Sequence, residues 1–270
     1  YTINKLTFLR YQMSKNKLKE IWNNNNYALN GWISINNPFS AEIMSRQNYD
    51  TLTIDMQHGL IDYSDLLGIL QAITGSGVMP IVRVPWLDPG YIMKALDTGA
   101  EGIICPMINN KKEAEQFVSF MKYPPLGNRS FGPTRQNIIT GNNYYSNAND
   151  NVLCIAMIET EEAMKNLSDI ISTDGLDAVY IGPADLTLGT TKGRLPPGMD
   201  REEEEMVERI KTILSEAKKA YKKACLHCVK TSYAIEAVKW GFDLVTLNSD
   251  TRLLASSASN SINEFRNGLK

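Results

Sequence analysis

The amino-acid sequence predicts an α/β chain folded as one (β/α)8 barrel. Three observations carry that prediction. Eight short apolar runs recur along the chain, and most are continuously apolar, as parallel strands buried on both faces are. Stretches with helical spacing alternate with them, the pattern of β-α-β units with right-handed crossovers. A length of 270 residues suits a closed barrel and is long for a sandwich-like core.

Taken in order, the opening of the chain reads as an extension of about 15 residues, and 23–26 as a solvated asparagine turn. The apolar runs occupy 28–33, 51–54, 80–84, 102–107, 152–158, 178–181, 223–229 and 244–247. Helical spacing covers 63–74, 92–98, 111–121, 161–171, 202–220 and 232–240. Thr160 and Asn109 stand where N-caps are wanted, and Gly99 and Gly241 where a helix ends in a left-handed residue. Two stretches resist the pattern. The segment 123–151 carries Pro124-Pro125, Gly132-Pro133 and a run of asparagines, and 182–200 is rich in Gly and Pro, so both read as long irregular loops.

Composition narrows the function classes. With 43% hydrophobic and 21% charged residues, the chain is ordinary for a globular protein. A formal net charge of −2 gives no sign of the basic face that nucleic acid would require. No apolar run approaches the roughly 20 residues that cross a bilayer. The cysteines are Cys105, Cys154, Cys225 and Cys228; so few of them, without a secretory apolar region, predict a reducing cytoplasm. Cys225 and Cys228 form a C-x-x-C, but no second pair completes a zinc site and the motif lies in a strand pattern, where cysteine acts as a small hydrophobe.

Barrels place their chemistry at the C-terminal ends of strands. Asp55, Gln57 and His58 follow the second run, Arg83 lies in the third, Glu159 follows the fifth, and Gly182, Pro183 and Asp185 follow the sixth. Charges attached directly to apolar strands are costly unless paired or bound to a cation. Glu159 and Asp185, one strand–helix unit apart, fall on neighbouring strands at one mouth. Two carboxylates there repel unless a cation or a proton lies between them, and Mg2+ takes one or two carboxylates plus water and substrate oxygens. The alternative is a capping acid for Glu159 and a solvated acid for Asp185. His58, three residues after Asp55, is a candidate general base held in one tautomer by a carboxylate, or else a structural histidine. Arg83 can hold a developing oxyanion or close a buried ion pair with Asp55. His227 lies inside a strand pattern and reads as a core residue.

Together these residues resemble the HpcH/HpaI aldolases, the metal-dependent class II pyruvate aldolases. The resemblance spans roughly residues 16 to 265. It is carried by Thr53-Ile54-Asp55-Met56-Gln57-His58-Gly59, Pro80-Ile81-Val82-Arg83, Leu96-Asp97-Thr98-Gly99-Ala100 and Pro106-Met107. It continues in Tyr123-Pro124-Pro125-Leu126-Gly127-Asn128-Arg129, Ile158-Glu159-Thr160, Ile181-Gly182-Pro183-Ala184-Asp185-Leu186 and Asp250-Thr251 with Leu253-Leu254.

That resemblance implies a barrel of the phosphoenolpyruvate/pyruvate type, with Mg2+, Mn2+ or Co2+ held by Glu159 and Asp185. It implies cleavage of a 4-hydroxy-2-oxo acid to pyruvate and an aldehyde through a metal-bound pyruvate enolate. Arg83 would stabilise the enolate oxygen, and His58, oriented by Asp55, would act on the C4 hydroxyl through a water. The backbone of Gly182 and Ala184 would take the pyruvate carboxylate, with Ser130 contributing from the long segment, and that segment together with residues of a neighbouring subunit would recognise the aldehyde half. The partner is then a small 2-oxo acid, and the assembly a homohexamer, a trimer of dimers with exchanged C-terminal helices. A lyase acting on a citramalyl- or malyl-type CoA thioester is the second reading, with no basic nucleotide pocket behind it. A non-catalytic oxo-acid-binding barrel is the third. Two departures from the family's pattern stand out: Gln57, where many members have Glu, and Met157, where a well-known subgroup has Gln.

Overall fold

Eight parallel strands hydrogen-bond in sequence order and close on themselves, the last pairing with the first. The computed structural model describes residues 16–141 and 143–269, so the expected N-terminal extension lies outside the described residues. The chain runs α1 (Lys17–Asn23), β1 (Ala28–Ile33), α2 (Pro38–Ser45), β2 (Thr51–Asp55), α3 (Tyr63–Ile73), β3 (Met79–Arg83), α4 (Pro89–Thr98), β4 (Gly102–Cys105) and α5 (Lys111–Met121). It continues through α6 (Thr134–Thr140), α7 (Tyr144–Asn151), β5 (Leu153–Ile158), α8 (Glu161–Lys165), α9 (Leu167–Ile171), β6 (Ala178–Ile181) and α10 (Pro183–Thr191). The last elements are α11 (Glu204–Lys219), β7 (Lys223–Cys228), α12 (Thr231–Trp240), β8 (Leu244–Leu247) and α13 (Asp250–Gly268).

Strand alternation divides the core in two. Ala28, Trp32, Met79, Ile81, Ile104, Ile155, Met157 and Tyr180 fill the barrel, while Ile33, Ile54, Val82, Ile103, Ala156 and Ile181 pack outward under the helices. The same alternation settles the C-x-x-C: Cys225 lies in the inner cluster and Cys228 in the outer one. Side chains on opposite faces of β7 cannot share a ligand.

Four local expectations change. The helix over 161–171 is two pieces broken at Asn166, whose side chain donates 2.8 Å to the Asn109 carbonyl. The cap of α5 is Asn110, one residue later than expected, while Asn109 donates its backbone N–H to Glu113. The segment 182–200 opens with α10, entered through Pro183 at its first position, where a missing N–H costs nothing. The segment 123–151 folds onto Arg129, whose guanidinium bonds Asp97 at 2.6 Å and Tyr144 Oη at 2.9 Å and stacks on Tyr123. Its latter part forms α6 and α7. Gly99 and Gly241 end their helices at φ 131° and 108°, as expected. No described helix is long and apolar enough to cross a membrane.

Candidate active site

Asp55 ends β2 and points into the barrel mouth, 2% exposed. Its Oδ1 accepts from Arg83 Nε at 2.8 Å, Gln57 N at 3.1 Å and His58 N at 3.3 Å. Its Oδ2 accepts from Arg83 Nη2 at 2.6 Å and Trp32 Nε1 at 3.2 Å. Burial pushes the carboxyl upward, but Arg83 and the two backbone donors outweigh it and hold Asp55 below the usual carboxylate range. The ion pair open as an alternative for Arg83 is therefore made. It uses one edge of the guanidinium, leaving N–H groups of an 11% exposed side chain for another partner.

The expected contact between the Asp55 carboxylate and the His58 ring is not made among the described residues. Asp55 grips the His58 backbone instead, and the imidazole stands exposed at the mouth. Gly59 lets this turn fold back tightly, since a Cβ there would sit 2.2 Å from the Asp55 carbonyl oxygen. Gln57, where a second carboxylate could have stood, has its Oε1 buried without a partner among the described residues.

Glu159 follows β5 directly and is 1% exposed. Its Oε1 accepts 2.8 Å from Met107 N, while Oε2 is sealed from solvent with no hydrogen-bond partner among the described residues. Burial, with the nearby charge of Asp185 adding to it, raises the Glu159 carboxyl to about 7. Asp185 lies in the first turn of α10, exposed at the same mouth. Since Asp55 and Arg83 cancel each other, the charge left over is that of Glu159 and Asp185. An orphaned buried carboxylate oxygen near a second, accessible carboxylate is a fitting donor set for a hard divalent cation, which completes its shell with water and substrate oxygens. No group of three or more His, Cys, Asp or Glu is arranged to hold a metal ion among the described residues, so the chain offers a sparse, open set.

Gly182 makes room for that set. A Cβ at this position would lie 2.7 Å from Glu159 Oε2 and 2.8 Å from Met157 Cε, the ends of two buried side chains that would have to shift. Gly182→Ala is expected to lower stability by about 1–3 kcal/mol, measured by urea unfolding, and to weaken divalent-cation binding measured by calorimetry. Beyond Gly182, Pro183 carries no N–H, and the Ala184 N–H at the start of α10 has no intrahelical acceptor, which leaves it for an anion.

Ser130 is not brought to this site. The segment holding it joins the end of α5 to the start of β5, and it is tied there by Lys122 Nζ to Val152 O at 3.0 Å and by Arg129 to Asp97. That is the N-terminal end of the barrel, opposite the mouth, so neither Ser130 nor the other described residues of 123–151 line the site of their own chain.

Two contributors escaped the sequence reading. Trp32 donates to Asp55 and lies 4.8 Å from the Arg83 guanidinium carbon, a cation–π contact; its signal was its inward parity with Ala28 and Asn30 on β1. Met107 adopts φ 57°, a left-handed conformation that costs energy for a residue with a side chain and that aims its N–H at Glu159. Nothing in the residue type announces that role. Met157, 2% exposed, presents an apolar wall beside Glu159 and Gly182.

Comparison with known proteins agrees with this geometry. The family model described as HpcH/HpaI aldolase/citrate lyase matches residues 30–257. The chain is 40% identical over 251 residues to a hydroxypyruvate/pyruvate aldolase of Rhizorhabdus wittichii, covering 93% of this chain and 99% of that protein. It is 32% identical to a 4-hydroxy-2-oxo-heptane-1,7-dioate aldolase of Salmonella heidelberg, over 90% of this chain and 92% of the relative. A crystal structure of an HpcH/HpaI aldolase/citrate lyase family protein from Burkholderia cenocepacia superposes with a TM-score of 0.86 at 25% identity, covering 93% of this chain and all of that one. The chain belongs to the HpcH/HpaI aldolase/citrate lyase family.

Proposed function

We propose that this protein is a divalent-metal-dependent aldolase that cleaves a 4-hydroxy-2-oxo acid to pyruvate and an aldehyde. The observation that carries the reading is the sealed, unpartnered Oε2 of Glu159 at the mouth shared with Asp185 and the Arg83–Asp55 pair. In this reading Glu159 and Asp185 hold Mg2+, Mn2+ or Co2+, and the bound cation supplies Lewis-acid polarisation of the 2-oxo group. The Ala184 N–H, with the Gly182 backbone beside it, takes the substrate carboxylate at the positive end of α10. His58 accepts the C4 hydroxyl proton through a water. As the C3–C4 bond breaks, its electron pair moves towards the 2-oxo oxygen, where the free edge of Arg83 stabilises the growing negative charge. Asp55 holds Arg83 in place from behind and fixes the backbone that carries His58.

A lactate-dehydrogenase-coupled assay tests this. Pyruvate release from a panel of 4-hydroxy-2-oxo acids is expected with divalent metal and absent with chelator; no release with any of the three metals overturns the reading. His58→Ala is expected to lower kcat by about a hundredfold while pyruvate binding persists, and an unchanged rate removes the base from His58.

Three wider readings go with it. The chain acts as one barrel domain. The assembly is a homohexamer, supported by α13, whose Leu254, Ile262 and Phe265 stand exposed on their own subunit. The compartment is the cytoplasm, supported by four free, buried cysteines.

A further inference from the structure

The second histidine is buried but not idle. His227 lies on the inward face of β7 near its C-terminal end, in register with Thr246 of β8. The Trp32 ring meets it edge-on at 4.7 Å, which places it at the same level as the Arg83–Asp55 pair. Its Nδ1 lies 3.1 Å from Tyr180 Oη, and Tyr180 Oη lies 2.6 Å from Thr246 Oγ1. Thr246 Oγ1 accepts from Asn30 Nδ2 at 2.8 Å, and Asn30 Oδ1 accepts from Thr51 at 2.7 Å and Thr53 at 3.1 Å.

These groups, buried inside the barrel, fix the protons one after another. Two threonine hydroxyls donate to the Asn30 oxygen, so the Asn30 amide donates to Thr246. The Thr246 proton then has Tyr180 Oη as its acceptor, and the Tyr180 proton goes to His227 Nδ1. The remaining proton of the imidazole sits on Nε2. Burial, with Arg83 adding to it, lowers the His227 pKa to about 3, so the ring stays neutral at physiological pH. His227 is 9% exposed, and its Nε2 has no partner among the described residues and is not sealed from solvent. The inward face at the strand's C-terminal end opens only on the barrel mouth.

We propose that His227 is a specificity-determining residue whose Nε2–H donates a hydrogen bond to an oxygen on the aldehyde half of the substrate. The inference rests on the aldolase reading above. In that reading the pyruvate oxygens are taken by the cation, Arg83 and the start of α10, and Met157 offers no donor on that side. Arg83 is on β3 and His227 is on β7, half-way round the barrel, so their donors address different parts of one substrate. The enzyme therefore favours aldehydes bearing oxygen on the carbon next to the carbonyl.

The test is condensation of pyruvate with glycolaldehyde and with its isostere propionaldehyde. The wild type is expected to prefer glycolaldehyde, and His227→Leu to lower kcat/KM for it by about tenfold while propionaldehyde changes less than threefold. His227→Asn keeps a donor and restores part of the preference. Tyr180→Phe leaves His227 in place but frees its tautomer, and it lowers the same ratio. Equal losses with both aldehydes, or none, overturn the proposal. Because the chain has only His58 and His227, 15N spectra of histidine-labelled protein read the tautomer directly. A neutral Nε2–H ring at pH 7 is expected, and an Nδ1–H or charged ring overturns the donor assignment. A wild type inactive with both aldehydes and on the 4-hydroxy-2-oxo acid panel defeats the aldolase reading itself, and the proposal with it.

Discussion

Replacing Glu159 by Gln is expected to abolish divalent-cation binding and to lower kcat/KM for pyruvate release by about four orders of magnitude. The same substitution is expected to stabilise the metal-free protein at neutral pH. Both effects come from one carboxylate kept in a place that disfavours its charge. Burial raises its pKa from 4.5 to about 7, so the folded state holds a proton that the unfolded chain releases earlier. The folded state then binds more protons between the two values, and stability falls as pH rises from 4.5 through 7, levelling off above. The loss attributable to Glu159 is about 3 kcal/mol. Glu101, raised to about 7 by burial elsewhere in the barrel, contributes a similar slope to both proteins, so the difference between wild type and variant isolates Glu159. Urea unfolding in chelator should give curves that converge near pH 4.5 and separate towards pH 8. Adding Mg2+ at pH 8 should restore the wild type and leave the variant unmoved. Parallel curves would show that burial does not hold the Glu159 proton, and an equal response to Mg2+ would show that the buried oxygen is not the cation's ligand.

The barrel was legible because both of its signals are local. Continuous apolar runs mark strands covered on both faces, and the helical spacing between them marks the crossovers. The site was legible as a set of strand ends, which is why the sequence places Asp55, Arg83, Glu159 and Asp185 at one mouth. What spacing does not encode is which partner a side chain chooses once there. Asp55 precedes His58 by three residues, yet its carboxylate serves the Arg83 guanidinium from β3, because a bidentate charge-assisted pair outcompetes a single bond to an imidazole. Ser130 was misplaced for a topological reason. A segment that follows a helix returns to the bottom of the barrel, and only one that follows a strand opens at the top. Reading 123–151 as irregular hid this, since its two short helices carry no strong amphipathic pattern. The strand pattern around His227 reads as core, and the residue is nearly buried; its free Nε2 follows from the donors of Asn30, Thr246 and Tyr180, which only the fold brings together.

Arg83→Ala is expected to lower kcat by about 10²–10³-fold, the usual cost of removing a donor aimed at a developing oxyanion, and also to destabilise the fold. The second effect threatens to mask the first. Without Arg83, the Asp55 carboxylate stays buried on Trp32 and two backbone donors, an under-compensated charge worth about 3–5 kcal/mol of stability. Two further variants separate the roles. Arg83→Lys keeps the positive charge but cannot match both Asp55 oxygens while presenting a second edge to substrate, so activity should fall about a hundredfold with a smaller loss of stability. The double variant Arg83→Met with Asp55→Leu removes both charges together, and apolar replacement of a buried pair is often neutral or stabilising. It should therefore unfold closer to the wild-type urea midpoint than Arg83→Ala does, short of it by the Trp32, Gln57 and His58 donors that lose their acceptor, and remain as inactive as Arg83→Ala. A stable and active double variant would reduce Arg83 to a structural cation. A stable and inactive one would mean that the ion pair exists to hold a charge where the reaction needs it, since the fold does not require it.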